Sequence, residues 1–386
     1  MGSAAQGATA AYFLGLAAVA PDLRAHFGLS LAGVGTLIGV ISVGLVATLI
    51  AWGGAADRFG ERPVMTVGLL GAGAALGGAA LVTDPIAAGA LLLLAGASGA
   101  SVNAASGRAV LTWFPTSRRG LAMAVRQTSV PIGAALAAVA LPPIAHGSVA
   151  GFGGIPAVFT ALAATCVLTA LAVARWVREP PGATTRRAAD TTGARTVLAD
   201  RRLLRLSLAG LLLVVPQFLG SVFLVEVLHS GSGMALPAAA ALLALTQVLG
   251  ALGRLGVGLW SDRAASRLRP LRVVAGAVGV GFALAAATAS GPAALVAAVL
   301  VPAAALAISW NGLVFTAAGE FAPPGRAATA MAVSNTANYV SAAATPVLGG
   351  LVAEHAGWSA MLVLGTIAAA GALLALRRLR EAVPAV

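Results

Sequence analysis

The chain has 386 residues, 59% of them hydrophobic and only 9% charged, and its mean hydropathy is +0.94. Soluble domains carry about 25% charged residues, so this chain cannot clothe a water-exposed surface of its size, and lipid is the solvent it fits. Its formal net charge of +12 rests on 24 basic residues, all Arg; the lack of Lys excludes a Walker A phosphate loop and a Schiff-base lysine.

Reading breaks at charges, Pro and Gly clusters gives twelve apolar segments of spanning length. The first six cover about 4–21, 31–53, 63–83, 86–112, 120–145 and 153–176. The second six cover about 204–228, 235–260, 272–290, 293–320, 327–352 and 358–376. In lipid each must be a helix, because every backbone amide has to be satisfied within its own segment. No basic stretch precedes the first segment, so it reads as a retained span and not a cleaved signal peptide. The glycines of the third segment (Gly68, Gly71, Gly73, Gly77, Gly78) suit helices that approach closely. Cys166 has no second cysteine to pair with, and His26, His146, His229 and His355 are scattered without metal-ligand spacing. No metal or other cofactor is expected.

The longest polar stretch, Arg178 to Arg205, divides the chain almost in half. It marks a linker at 179–203 between an N-terminal six-helix bundle, 1–178, and a C-terminal one, 204–386. The fold expected is an all-α membrane protein of twelve transmembrane helices in two pseudo-symmetric bundles. Placing the loop after the second span in the cytoplasm puts 20 of the 24 arginines on that side and only Arg24 in an outer loop. That bias follows the positive-inside rule, and both termini are then cytoplasmic. A multi-pass protein of the cell membrane, with the bilayer and no nucleic acid as its surroundings, accounts for the basic balance. The chain is expected to act as a monomer.

The halves echo each other. Gly53-Gly54-Ala55-Ala56-Asp57-Arg58-Phe59-Gly60-Glu61-Arg62 follows the second span, and Gly258-Leu259-Trp260-Ser261-Asp262-Arg263 follows the eighth. Ala122-Met123-Ala124-Val125 recurs as Ala330-Met331-Ala332-Val333, and Asn103 aligns with Asn311 at the same shift. A parallel repeat of six-helix halves is a known transporter plan. The G-x-x-x-D-R-x-G-x-R run at Gly53, Asp57, Arg58, Gly60 and Arg62 resembles the signature loop of the major facilitator superfamily. The shorter copy at Gly258, Asp262 and Arg263 sits where that family places it. The resemblance implies a transporter with a central cavity opened alternately to each side, and no enzymatic chemistry. The two loops are then candidate conformational latches, in which a carboxylate meets basic side chains or helix N-termini of the neighbouring bundle.

Charges at bilayer depth are costly and tend to be functional. Arg254 lies eight residues before Asp262, about 12 Å along a helix; Arg126 and Arg108 lie about 10 Å deep by the same measure. Arg108 is close enough to the inner loops to pair with the signature-loop acids. The acids sort to helix ends and none falls at the midplane, so the midplane arginines point to an anionic cargo. Arg254, Gly258 and Asp262 form an R-x-x-x-G-x-x-x-D pattern resembling the eighth helix of monocarboxylate and oxalate/formate carriers, which implies that Arg254 holds the carboxylate. Arg126, Asn103, Gln127, Gln247, Asn311, Asn335, Asn338 and Tyr339 are the further candidates for substrate binding, with Gln217 and Trp310 beside them. Asn335, Asn338 and Tyr339 share one helical face. Glu226 and His229 are candidates for proton coupling.

The expected function is secondary or facilitated transport of a small organic anion, with protons as a candidate co-substrate. The alternative is a proton-coupled drug or metabolite exporter of the same superfamily. The exporter signatures are broken here: Ala95 stands where helix 4 would carry Arg, and the helix 5 run reads Val130-Pro131-Ile132-Gly133-Ala134.

Overall fold

The computed structural model describes residues 1–149, 152–178 and 193–381. In chain order the helices are α1 (Gly2–Phe13), α2 (Ala20–Phe27), α3 (Leu31–Phe59), α4 (Glu61–Ala79), α5 (Pro85–Trp113), α6 (Arg119–His146) and α7 (Gly154–Trp176). After the midpoint come α8 (Gly193–Ala199), α9 (Arg201–Val222), α10 (Leu224–Glu226), α11 (Leu236–Arg263), α12 (Leu268–Thr288), α13 (Ala293–Ile308), α14 (Asn311–Phe321) and α15 (Ala327–Arg377). Ten helical segments are long and apolar enough to cross a membrane. One of them, α15, contains the non-helical Gly357 and comprises two spans. With α4, twelve spanning segments are present among the described residues.

Several boundaries differ from the sequence reading. The first span runs to Phe27 and is bent: a 3-10 stretch, Gly15–Val19, joins α1 to α2, with Pro21 in the first turn of α2 and Gly28 as a left-handed cap. The third span ends at Ala79 and not near 83. Spans eleven and twelve run on without an extended loop, because Gly357, at φ +82°, turns the chain in one residue. A two-residue antiparallel ladder, Ser148↔Gly153 and Val149↔Phe152, precedes α7. Of the expected linker, residues 179–192 lie outside the described residues; the rest holds α8 and Asp200, whose side chain caps α9 by accepting from Arg202 N at 2.7 Å.

The described chain divides into two compact units. Unit 1 comprises Met1–Trp113, Arg126–Ala194 and Pro323–Ala332; unit 2 comprises Phe114–Val125, Arg195–Ala322 and Val333–Val386. The core of unit 1 is apolar, with Tyr12, Leu16, Ile41, Leu76, Leu92, Phe159 and Cys166 buried together. Helices α3 and α5 pack at backbone distance: a Cβ on Gly96 would fall 2.0 Å from the carbonyl oxygen of Ile41. In unit 2 the same device recurs between α9 and α13, where a Cβ on Gly220 would meet Ala304 Cβ at 2.7 Å. Close approach of small residues replaces the hydrophobic effect that lipid cannot supply.

Candidate functional site

The repeated loop motif makes the same local structure in each unit. In unit 1, Asp57 accepts from Ala328 N at 3.0 Å, Thr329 N at 2.9 Å and Thr329 Oγ1 at 2.7 Å. These are the first-turn donors of α15, which have no partner within their own helix. In unit 2, Asp262 accepts from Gly120 N and Leu121 N, both at 2.9 Å, in the first turn of α6. A carboxylate at a helix N-terminus gains from both the hydrogen bonds and the helix dipole.

The glycine four residues before each aspartate explains the spacing. A Cβ on Gly53 would lie 2.9 Å from Thr329 Cα, and one on Gly258 would lie 2.7 Å from Gly120 O. Positions i and i+4 share a helix face, so the glycine lets the second helix approach and the aspartate meets its end. Gly60, at φ +90°, is at once the C-cap of α3 and the N-cap of α4, a conformation that suits only glycine.

Basic side chains brace both carboxylates. Arg108 Nε stands 3.5 Å from Asp57 and its Nη1 2.9 Å from buried Glu61, so the expected pairing with the loop acids is present. In unit 2 the brace is Arg267, which sequence reasoning passed over. Its Nη1 donates to Asp262 at 2.7 Å and to Ser261 Oγ at 2.9 Å, its Nε to Glu320 at 3.2 Å, and its Nη2 to the Thr116 carbonyl. Burial opposes the Arg267 charge, but the bonds to Glu320 and Asp262 outweigh it and hold the guanidinium more firmly protonated than usual. The motif arginines Arg58, Arg62 and Arg263 are exposed, and Arg58 lies over the Phe59 ring at 5.1 Å.

Unit 1 also contains a buried polar cluster around Arg126, which is 4% exposed. Its Nε donates to Ser106 Oγ, its Nη1 to Gln127 Oε1 and its Nη2 to the Asn103 carbonyl, each at 2.8 Å. Gln6, 2% exposed, completes the cluster from α1, donating to Asn103 Oδ1 at 3.0 Å and accepting from Ser106 Oγ at 3.3 Å. Gln6 was missed; a lone amide within the first apolar span was the available signal.

In unit 2, Arg254 is 8% exposed and its Nε donates to the Ile308 carbonyl at 2.9 Å. That carbonyl is available because the tenth span breaks at Ser309 and Trp310, between α13 and α14. Packing places the other polar groups within about two helical turns of it. Gly220 faces Ala304 and Gly210 faces Val314, so α9 runs antiparallel to α13 and α14 with residues 210–217 beside 307–314. A Cβ on Gly210 would also lie 2.7 Å from Asn338 Oδ1, and Ser207 Oγ meets Ser334 Oγ at 2.8 Å. Gln217, Arg254, Trp310, Asn311 and Asn338 therefore span about 10 Å of helix rise. Gln217 Oε1, Trp310 Nε1, Asn311 Oδ1 and Asn338 Oδ1 are buried without a hydrogen-bond partner.

The remaining candidates scatter. Asn335 and Tyr339 are half-buried on the Asn338 face of α15, and Gln247 is exposed on α11. Glu226 and His229 are exposed at the end of the seventh span; Glu226 accepts from Ser230 Oγ at 2.7 Å, and His229 Nδ1 meets the Met234 carbonyl at 2.7 Å. Among the described residues no cluster of His, Cys, Asp and Glu is placed to hold a metal ion.

Comparison with known proteins agrees with this architecture. The Major Facilitator Superfamily profile matches residues 3–346. The MFS-type transporter Rv2994 of Mycobacterium tuberculosis is 36% identical over 347 residues, covering 89% of this chain and 77% of that protein. Among solved structures, the E. coli fucose:proton symporter FucP superposes with a TM-score of 0.75 at 16% identity, covering 96% of this chain and 97% of that one. The human organic anion transporter MFSD10 superposes with a TM-score of 0.73 at 17% identity, covering 97% and 98% respectively. At these identities the two structures speak to the fold alone.

Proposed function

Because this chain belongs to the major facilitator superfamily and is a multi-pass membrane transporter, not an enzyme, we propose that its cargo is a small organic anion, carried by alternating access. The observation that supports this reading is a pair of buried guanidinium groups, Arg126 and Arg254, inside spanning helices. Arginine does not deprotonate in proteins, and a charge at such depth is retained when it serves a pathway. Oxygen acceptors at 2.8–2.9 Å fix the orientation of both groups, and guanidinium is the side chain whose fork matches a carboxylate. The closer likeness to monocarboxylate and oxalate/formate carriers rests on the Arg254 pattern alone; the comparisons support the superfamily and not that subtype.

The two aspartate caps suit a latch. Each carboxylate engages the first turn of a helix whose register with its partner must change if the transporter is to alternate, and each is replaceable by water once released. The arginine bias supports a cytoplasmic position for both loops and both termini. Glu226 and His229, exposed and engaged with local partners, remain candidates for exchanging protons with the outer solution.

The test is uptake into proteoliposomes, with labelled carboxylates compared against cationic dyes. Arg254→Ala should abolish uptake of the preferred carboxylate, by about a hundredfold or more for a lost charge-assisted pair, while the unfolding midpoint stays near that of the parent. A folded Arg254→Ala protein that transports the carboxylate normally refutes the anion site. A pH gradient applied to the same vesicles tests coupling: an unchanged rate removes Glu226 and His229 from the mechanism.

A further inference from the structure

The two aspartate caps are braced from different kinds of backbone. Arg108, beside Asp57, stands within the spanning helix α5, whose ladder fixes where its guanidinium can reach. Arg267, beside Asp262, stands in the turn between α11 and α12, at the N-cap of α12. A long arginine side chain gives up much rotamer freedom when it is held in one place. Arg267 is 5% exposed and bonds to Asp262, Ser261, Glu320 and the Thr116 carbonyl at once. A turn can place a side chain that closely only if something holds the turn.

The segment that follows α15 holds it. Glu381 accepts from Ser266 Oγ at 2.5 Å, Leu268 N at 2.9 Å and Arg267 N at 3.3 Å. Ser266 Oγ also accepts from Arg269 N at 3.0 Å, and the Ser266 carbonyl accepts from Ser261 Oγ at 2.8 Å. The clasp is reciprocal. Arg272, one turn into α12, donates to the Leu376 carbonyl at 3.0 Å and the Leu379 carbonyl at 2.6 Å, where the helical ladder of α15 runs out. The clasped turn contains Ala265 at φ +46°, a left-handed conformation that a side chain disfavours and that persists where its surroundings enforce it.

We infer that Glu381 is a positioning residue of the Asp262 latch: by holding the backbone of Ser266, Arg267 and Leu268 it sets where the Arg267 guanidinium meets Asp262, and so how firmly Asp262 holds the first turn of α6. This rests on the latch reading above and adds to it a residue outside the repeated motif that tunes one latch and not the other.

Amide exchange in the full chain tests the inference without knowledge of the cargo. Glu381→Ala should speed exchange by about tenfold at Gly120 and Leu121 as well as at 266–269, while Ala328 and Thr329, held by Asp57, stay as in the parent. Effects that pass through one residue do not add. Arg267→Ala should therefore speed Gly120 and Leu121 by itself, and Glu381→Ala on that background should add less than about twofold. Faster exchange confined to 266–269 makes Glu381 a cap of α12 and overturns the positioning role. Full additivity in the double variant overturns it too, because the effect then bypasses Arg267. Asp262→Asn separates the levels. Protection at Gly120 and Leu121 that ignores this change refutes the latch contact itself, whereas a response to Asp262→Asn with none to Glu381→Ala refutes only the positioning role.

Discussion

Replacing Asp57 by Asn tests the helix-end clamp of unit 1 at a single atom pair. In the parent, two backbone amides and one hydroxyl of the first turn of α15 donate to this carboxylate at 2.7–3.0 Å. Bonds to a charged acceptor contribute about 1.5–3 kcal/mol each, and a charge at a helix N-terminus about 0.3–2 kcal/mol. Asparagine keeps one acceptor oxygen and turns an NH2 toward the other donors, so between one and two of the bonds are lost. Arg108 keeps its 2.9 Å contact with Glu61 and is not left uncompensated. The net loss is about 3 kcal/mol, or about a hundredfold in the equilibrium for releasing this helix end. Amide exchange reads that equilibrium directly when opening is fast. The peptide covering 323–333 should exchange about a hundred times faster in Asp57→Asn, while peptides in the α4 and α7 core remain as in the parent. Unchanged protection at Ala328 and Thr329 would refute the reasoning, because it would mean that the carboxylate contributes nothing to holding the turn.

Gly258→Ala places a methyl 2.7 Å from the backbone oxygen of Gly120 and should cost about 1–3 kcal/mol as overpacking; Gly256→Ala, which meets nothing within 4 Å, should be neutral or stabilising in the same thermal unfolding assay. Glu381→Gln weakens the cap that Glu381 provides to Leu268 N at 2.9 Å and Ser266 Oγ at 2.5 Å, so the start of α12 should lose exchange protection by about tenfold, a loss of about 1 kcal/mol. Slight burial pushes the Asp200 carboxyl up, but the hydrogen bonds and charge of Arg202 outweigh that and hold it below the usual carboxylate range. A depressed value means that the stabilisation is present above the unfolded-state value and is lost as pH falls through the folded one. Asp200→Ala should therefore lower stability by at most about 1 kcal/mol at neutral pH and should differ progressively less from the parent on acidification, as measured by thermal unfolding.

The residues that sequence reasoning identified best were those whose roles depend on near neighbours in the chain. The G-x-x-x-D spacing at Gly53 and Asp57, and again at Gly258 and Asp262, puts a small residue and a carboxylate on one helix face, and the structure uses both as that face suggests. Arg108 reached Glu61 and Asp57 because helix rise alone sets its depth. Arg267, Gln6 and Gly210 were not legible in this way. Arg267 looked like one of many inner-loop arginines, and only folding brings it within 2.7 Å of Asp262 and 3.2 Å of Glu320, 53 residues away. Gln6 gains its meaning from Asn103 and Ser106, on a helix about a hundred positions on.

Composition, hydropathy and the internal repeat by themselves determined a twelve-span helical membrane protein of the transporter type, because lipid leaves a backbone almost no alternative to the helix and leaves charge almost nowhere but the helix ends. Tertiary structure alone decided which buried polar groups meet. The sequence places Arg254, Trp310 and Asn338 on three different spans, and it contains no term for the rotation of one helix against another. Where glycines such as Gly210, Gly220 and Gly250 admit a neighbouring helix's side chains closely, the packing brings an arginine, an indole and an amide within about two helical turns of one another.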